Sequence, residues 1–546
     1  MRTWILVVVL LAVAGGGCKK DKKNASGTSV PKPPASTVEQ DALWALAPDH
    51  VAVGIVISPQ GVGRIQNGML DLKALLDSAP DLAPFKGQVD EALDDALGTT
   101  DISLATAGLS PTKGFALFAV DQAPPIVILP VGDRDKFLAV THGTKGATPN
   151  DPDMIKKATC KTIKNVYACA KDTSLFERMG KGSMKDQLAL AGARGDIEAA
   201  AVIPSKQPVT VAAVAQLDRG TVVVRGAVKG APPEAKAYLV NLKPRVDKDR
   251  TSGFMLFNLQ PIAQQMAATA PHQEVFPGVF IDELVRSVNG PLTMTIANGS
   301  QDIDARLPVA DTAAWQKVID QCTTLPPLKM LGATTQAGTC HVPVPQMMTS
   351  IDVWTEGKEV RIGNKSSKGG GTAAPLSAVG EELASTDWMF ALYGRGTLLG
   401  GNMPGVGMPA AQLPPEAMLG IRALTLVNEL GFGVKADGDT IRFVASIRTV
   451  WANPDDVTKK LLAIPPGDVV EGKASAAAKA IADGAPGSAF AGDFAAGYGG
   501  LMVPAAGVGA IAGVAAPAFM AYMAKSQSMN AMPPTQAPTD VAPSPP

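Results

Sequence analysis

The chain has 546 residues, 46% of them hydrophobic and 18% charged, with 49 basic side chains against 50 acidic ones. That near-neutral balance excludes the electrostatic footprint of a nucleic-acid-binding protein, and the length allows two or more domains, each able to bury its own core. Glycine (55) and proline (44) are above average usage but below the level of a low-complexity chain, so most of the protein is expected to fold.

Residues 1–17 hold Arg2, an apolar run from Trp4 to Ala14, and Gly15-Gly16-Gly17 directly before Cys18. A run of about eleven apolar residues is too short to span a bilayer and reads as a secretory signal. The segment resembles a bacterial lipoprotein signal peptide, in which small residues precede the cysteine that becomes the lipidated mature N-terminus. The resemblance implies acyl chains on Cys18 and a bacterial envelope location; it departs from the family at Gly15, where leucine is usual. Lys19-Lys20-Asp21-Lys22-Lys23 and a Ser/Thr/Pro/Ala stretch follow, with almost nothing to bury. Residues 18–40 are therefore expected to form a flexible tether, about 25–30 Å in r.m.s. span. Lysine rather than aspartate after the cysteine resembles lipoproteins of the outer membrane, and implies that one, with the protein facing the periplasm.

Within the body, Leu129-Pro130-Val131-Gly132-Asp133 followed by Phe137 matches Leu307-Pro308-Val309-Ala310-Asp311 followed by Trp315. Each aspartate stands where a helix N-cap belongs, ahead of an apolar face. Hairpin-like patterns precede both: Gly114 to Val120 returning through Ile126 to Leu129, and Leu292 to Ala297 turning at Asn298-Gly299 and returning to Leu307. Further matches keep the same order: Val51–Ile57 with Ser252–Leu259, Phe85–Gly98 with Phe276–Gly290, and Gly220–Val224 with Asp439–Phe443. Residues 41–247 and 248–472 are accordingly expected to be two related, β-rich α+β domains with antiparallel sheets and short helices. Hairpins at Glu356-Gly357-Lys358 and Asp437-Gly438 support antiparallel pairing. In style the body resembles uncharacterised bacterial envelope lipoproteins.

Beyond Cys18 there are four cysteines, Cys160, Cys169, Cys322 and Cys340. An even number in an exported chain suggests two disulfides, for which three connectivities exist. Cys160–Cys169 and Cys322–Cys340 are favoured because each pair is close in sequence and falls in the same part of one repeat.

Residues 473–493 read as a linker or helix, and no charged residue occurs from Phe494 to Ala524. Such a stretch can supply a membrane span, so residues 494–525 are expected to form a C-terminal hydrophobic helix. Gly513-Val514-Ala515-Ala516-Pro517-Ala518-Phe519 and Tyr522 before Lys525 resemble the hydrophobic helix of type IV pilins. Pilins carry theirs at the N-terminus with a glutamate, and Gly500 stands here instead, so only the membrane-helix implication transfers. Gly509 and Gly513 form a GxxxG that would let two such helices approach closely. Residues 526–546 are a Pro-rich tail expected to be disordered.

Signals for chemistry are sparse. Of four histidines, His50, His142, His272 and His341, only His341 adjoins a cysteine, and no HExxH or CxxC occurs, so no metal or other cofactor is expected. Ser110-Pro111-Thr112-Lys113 fits the S-x-x-K pattern of penicillin-recognising enzymes without its companion motifs, and no catalytic residue is assigned. Gly61-Val62-Gly63 and Gly394-Arg395-Gly396 read as turns. Asp90, Glu91, Asp94 and Asp95 read as the solvated face of a helix whose apolar stripe is Val89, Leu93, Ala96 and Leu97. The expectation is a non-enzymatic envelope protein that binds a protein or cell-wall partner. The alternative is a periplasmic carrier of lipid or another apolar ligand, and a third reading, an enzyme with a dispersed site, stays open.

Overall fold

A computed structural model describes residues 38–78, 103–120, 124–148, 151–203, 208–218, 220–230, 240–246, 251–269, 272–297, 302–325, 328–329, 332–344, 349–364, 376–395 and 427–449. Cys18, the tether up to residue 37, Phe85–Gly98 with its acidic group, Asn298-Gly299, Gly396, and everything from residue 450 on, Gly509 and Gly513 included, lie outside them.

In the first half the elements are α1 (Val38–Trp44), β1 (Val51–Ile57), α2 (Pro59–Ser78), β2 (Phe115–Val120), β3 (Ile126–Leu129), α3 (Arg134–Val140), β4 (Asp153–Ile155), β5 (Ala158–Ile163) and β6 (Val166–Ala170). Then come α4 (Leu175–Arg178), α5 (Lys185–Ala189), β7 (Ile197–Ile203), β8 (Val209–Asp218) and β9 (Thr221–Lys229). The second half opens with β10 (Thr251–Phe257), α6 (Gln260–Thr269), β11 (Glu274–Phe276), β12 (Val279–Phe280), α7 (Ile281–Arg286), β13 (Leu292–Ala297), β14 (Asp302–Pro308) and α8 (Thr312–Asp320). It closes with β15 (Thr334–Gln336), β16 (Thr339–Val344), β17 (Thr349–Glu356), β18 (Glu359–Gly363), α9 (Ala378–Ser385), β19 (Phe390–Arg395), β20 (Val427–Asp437) and β21 (Thr440–Thr449).

Nineteen of these strands form one sheet in which every pairing is antiparallel. Following the pairings from one edge, the order is β4-β5-β6-β3-β2-β1-β7-β8-β9 and then β21-β20-β19-β10-β13-β14-β18-β17-β16-β15. The join is β9 against β21, paired from Thr221↔Arg448 to Lys229↔Thr440.

This corrects the expected α+β class of two β-rich domains with antiparallel sheets: the protein is predominantly β, with one large antiparallel sheet of nineteen strands, a two-stranded ribbon of β11 and β12, and few helices. The physical reason is the seam. Both hydrophobic faces run across it, with Val222, Val224 and Ala445 in one cluster and Val223 and Val444 in another. Ending the sheet at β9 would leave a nine-residue edge with its backbone groups unpaired. The expected C-terminal hydrophobic helix, residues 494–525, lies outside the described residues, among which no helix is long and apolar enough to cross a membrane.

Local signals explain the short elements. Asp133 Oδ1 accepts from the Lys136 amide and Asp311 Oδ1 from the Ala314 amide, capping α3 and α8 at about 1 kcal/mol each. Lys164 and Asn165, both with positive φ, turn β5 into β6. Gly61 and Gly63 are not in a turn, contrary to expectation, but in the first two turns of α2. A Cβ on Gly61 would stand 2.6 Å from the Asp196 carbonyl oxygen, so glycine lets α2 press onto the end of β7.

On one face of the first half, Phe118, Ile126 and Ile128 pack beneath Leu43, Leu46, Leu175 and Phe176. On the other, Ile57, Phe115 and Leu217 pack beneath Val62 and Ile65 of α2 and Leu104.

Candidate functional site

The sheet's charged side chains fall into two kinds, those consumed in holding helices and loops and those that present a surface. In the first half, Asp153 has a fully buried side chain at the start of β4. It accepts from Arg134 at 2.7 and 2.5 Å, from the Tyr167 hydroxyl at 2.6 Å and from the Gly146 amide at 2.9 Å. Burial pushes this carboxyl up, but the Arg134, Tyr167 and Gly146 hydrogen bonds outweigh it and hold it below the usual aspartate value. Burial beside Asp153 pushes the Tyr167 hydroxyl well up.

Asp196, at the start of β7, accepts from the Leu217 amide at 2.8 Å and from Arg64 of α2 at 2.6 Å. Its Oδ1 is buried without a partner, and here burial dominates and raises the carboxyl. Two residues on, Glu198 is tied to Arg194 and accepts from Trp44 Nε1 at 2.8 Å, fastening α1 across 154 residues.

The second half carries a polar, half-buried face, with the Arg306, His341 and Arg361 side chains 36%, 31% and 16% exposed. Register places Arg306, Arg361 and Trp354 in one row across β14, β18 and β17, and Asp304, Gly363, Asp352 and His341 in the next. Arg361 donates to Asp304 at 2.8 Å and to Glu356 at 3.1 Å, and lies over the Trp354 ring, 5.6 Å from its centroid. Arg306 donates to the same Asp304 at 2.6 Å. Burial raises the Asp304 carboxyl, but the two guanidiniums hold it below the ordinary value. His341 Nδ1 lies 2.7 Å from Oδ1 of the buried Asp352, which fixes the ring on this face. The result is a platform carrying guanidinium, imidazole, carboxylate and indole groups, able to hydrogen-bond and stack against a polar partner.

At the far end of the same half, Ser377 caps α9 by accepting from the Gly380 amide at 3.1 Å, and its hydroxyl donates to the buried Glu429. His272 stacks on Phe280 at 4.0 Å and meets Asp282 at 2.9 Å.

The cysteines meet in the expected pairs, Cys160 with Cys169 across β5 and β6, and Cys322 with Cys340. The Ser110–Lys113 segment is a turn closed by the Lys113 amide donating to the Ser110 carbonyl at 3.3 Å, in which Ser110 Oγ meets Thr112 and Lys113 Nζ donates to the Val131 carbonyl at 2.7 Å, so the serine and lysine side chains have different partners. His50 and His142 sit in turns with positive φ. Among the described residues no group of three or more His, Cys, Asp or Glu is placed to hold a metal ion.

The polar platform itself was missed by sequence reasoning. Its signal was the period-two run Asp352, Trp354, Glu356 ahead of Arg361, polar at alternate positions and so on one face of a strand. Comparison with family models, with curated proteins and with solved structures finds no match.

Proposed function

We propose that the protein is a lipid-anchored component of the bacterial cell envelope, held by acyl chains on Cys18 in the outer membrane facing the periplasm. Its sheet acts as a non-enzymatic scaffold that binds an envelope protein or cell-wall partner. One observation carries the scaffold reading: the buried carboxylates Asp153, Asp196, Glu198, Asp282, Asp352 and Glu429 each already hold an arginine, a histidine, a hydroxyl or a backbone amide of the same chain. A general acid or base needs an open face toward substrate, whereas these groups fasten helices and strands. The platform of Trp354, Arg361, Arg306 and His341 is the surface left for a partner.

Two measurements test this on the intact chain in the bacterial envelope. Metabolic labelling with a fatty acid should give incorporation that Cys18→Ser abolishes. A photo-crosslinker in place of Trp354 should capture one defined envelope component, and Arg306→Ala should lower that yield. Cys18-independent labelling removes the anchor, and turnover of any substrate abolished by a single polar substitution removes the scaffold.

A further inference from the structure

The two halves treat the same face of the sheet differently. In the first half Ile57, Phe115 and Leu217 are 2%, 5% and 1% exposed beneath the 20-residue α2. Phe432 of β20 packs partly on that cluster, so its side of the second half is the same face. There, Phe257 lies opposite Phe390, Met255 opposite Leu392, and Leu392 opposite Phe432. The Phe257 and Phe390 rings are 5.8 Å apart and the Phe390 and Phe432 rings 5.7 Å. All five residues, with Leu430 beside them, are only half-buried. The helix that follows β10, α6, has ten residues where α2 has twenty, and its Met266 is exposed. Among the described residues, the apolar layer thus continues past the seam without a helix over it like α2.

We propose that residues 494–524 of the same chain lie across this face. Three facts select that occupant. The segment contains no Asp, Glu, Lys or Arg, so it can be laid on aromatic rings without burying a charge. The chain leaves the described body at Thr449, the end of β21, and β21 borders the patch, with Ala445 opposite Phe432 and Ile447 opposite Leu430. The intervening residues 450–493, as coil, have an r.m.s. reach of about 35 Å, while the patch spans β21, β20, β19 and β10 at about 4.8 Å per strand. Alanine and glycine, abundant in 494–524, allow the backbone to approach Phe390 and Phe432 closely, while Leu501, Met502, Ile511, Phe519 and Met520 supply apolar area. In this reading the uncharged segment packs on its own sheet, and the patch is closed by the chain that carries it.

The test uses the full-length chain with p-benzoyl-phenylalanine installed at Phe390 and, separately, at Phe432, so that a folding failure at one position leaves the other to decide. Irradiation followed by peptide mapping should find crosslinks within one chain to peptides from 494–524. Ala512→Asp combined with Ala516→Asp should lower that yield about tenfold and raise the fluorescence of 8-anilinonaphthalene-1-sulfonate severalfold, with the body still folded by circular dichroism. A folded protein that gives no tail crosslink, or that crosslinks to lipid, to a second copy or to another protein, overturns the proposal, as does unchanged dye fluorescence in the charged variant.

Discussion

Arg225 and Val444 face each other across the seam between β9 and β21, and each stands four residues after the threonine that opens its strand, Thr221 and Thr440. The two strands therefore meet about a point that treats both alike, and the pair at that point is one residue and its positional counterpart. Strand order away from the seam is also shared: β9, β8, β7, β1, β2, β3, β6 on one side and β21, β20, β19, β10, β13, β14, β18 on the other. The second half adds a fourth strand, β15, to its outer meander.

Arg225 donates to Glu382 of α9 at 2.6 Å, an ion pair that joins the halves. Both side chains keep some exposure, so Arg225→Ala and Glu382→Gln should each cost only about 1 kcal/mol. The double variant should cost little more than either single one, as measured by shifts in urea midpoint at constant slope.

Gly226 lies opposite Phe443 at the same seam. A Cβ there would stand 2.3 Å from the Phe443 ring and 2.6 Å from the Ala212 carbonyl oxygen, and rotating the ring relieves only the first contact. Gly226→Ala should destabilise by about 2–3 kcal/mol, and differential scanning calorimetry should show both halves melting earlier together.

Asp153 and Asp196 should respond to pH with opposite signs. The Asp153 carboxyl is held below its unfolded value, so its contribution is present above the ordinary aspartate range and is lost as pH falls through the depressed folded value. Asp153→Asn removes the negative charge and one of the two oxygens that accept from Arg134, Tyr167 and Gly146, and should cost about 3 kcal/mol near pH 7, the deficit shrinking toward acid. The Asp196 carboxyl is raised, so its favourable protonated form is present below the ordinary value and lost as pH rises past the folded one. Asp196→Asn should accordingly gain on the native protein between pH 4 and pH 7, as read from paired denaturation curves at each pH.

Removing the disulfides should give unequal losses. Cys160–Cys169 spans 9 residues and joins strands already paired, whereas Cys322–Cys340 spans 18. Loop-closure entropy gives each about 2.5–3.5 kcal/mol, the longer loop more by about half a kcal/mol. Alanine pairs at each bridge, compared in guanidinium without reductant, check the order, and non-reducing peptide mapping checks the pairing.

What could be read locally was legible: the N-caps at Asp133 and Asp311, the hairpins ending at Leu129, Gly363 and Thr449, and both cysteine pairs lie within short stretches of sequence. The class was misread because strand and helix patterns look alike in number along the chain, and nothing local says that Thr221 will pair with Arg448. The charged sites failed for the same reason. Arg64 meets Asp196 across 132 residues, and Trp44 meets Glu198 across 154. His341 was noticed for its neighbour Cys340, while its working partner, Asp352, is 11 residues on and one strand over.

Among the described residues the outermost strands, β4 and β15, have three residues each, and β4 is further closed by a bridge between Thr144 and Met154. A nineteen-stranded sheet would otherwise offer a long ledge at either end for a strand from another molecule, the usual start of fibrillar growth. Three residues at each of these edges supply too few backbone bonds to hold an incoming strand, which keeps the pairing within one chain.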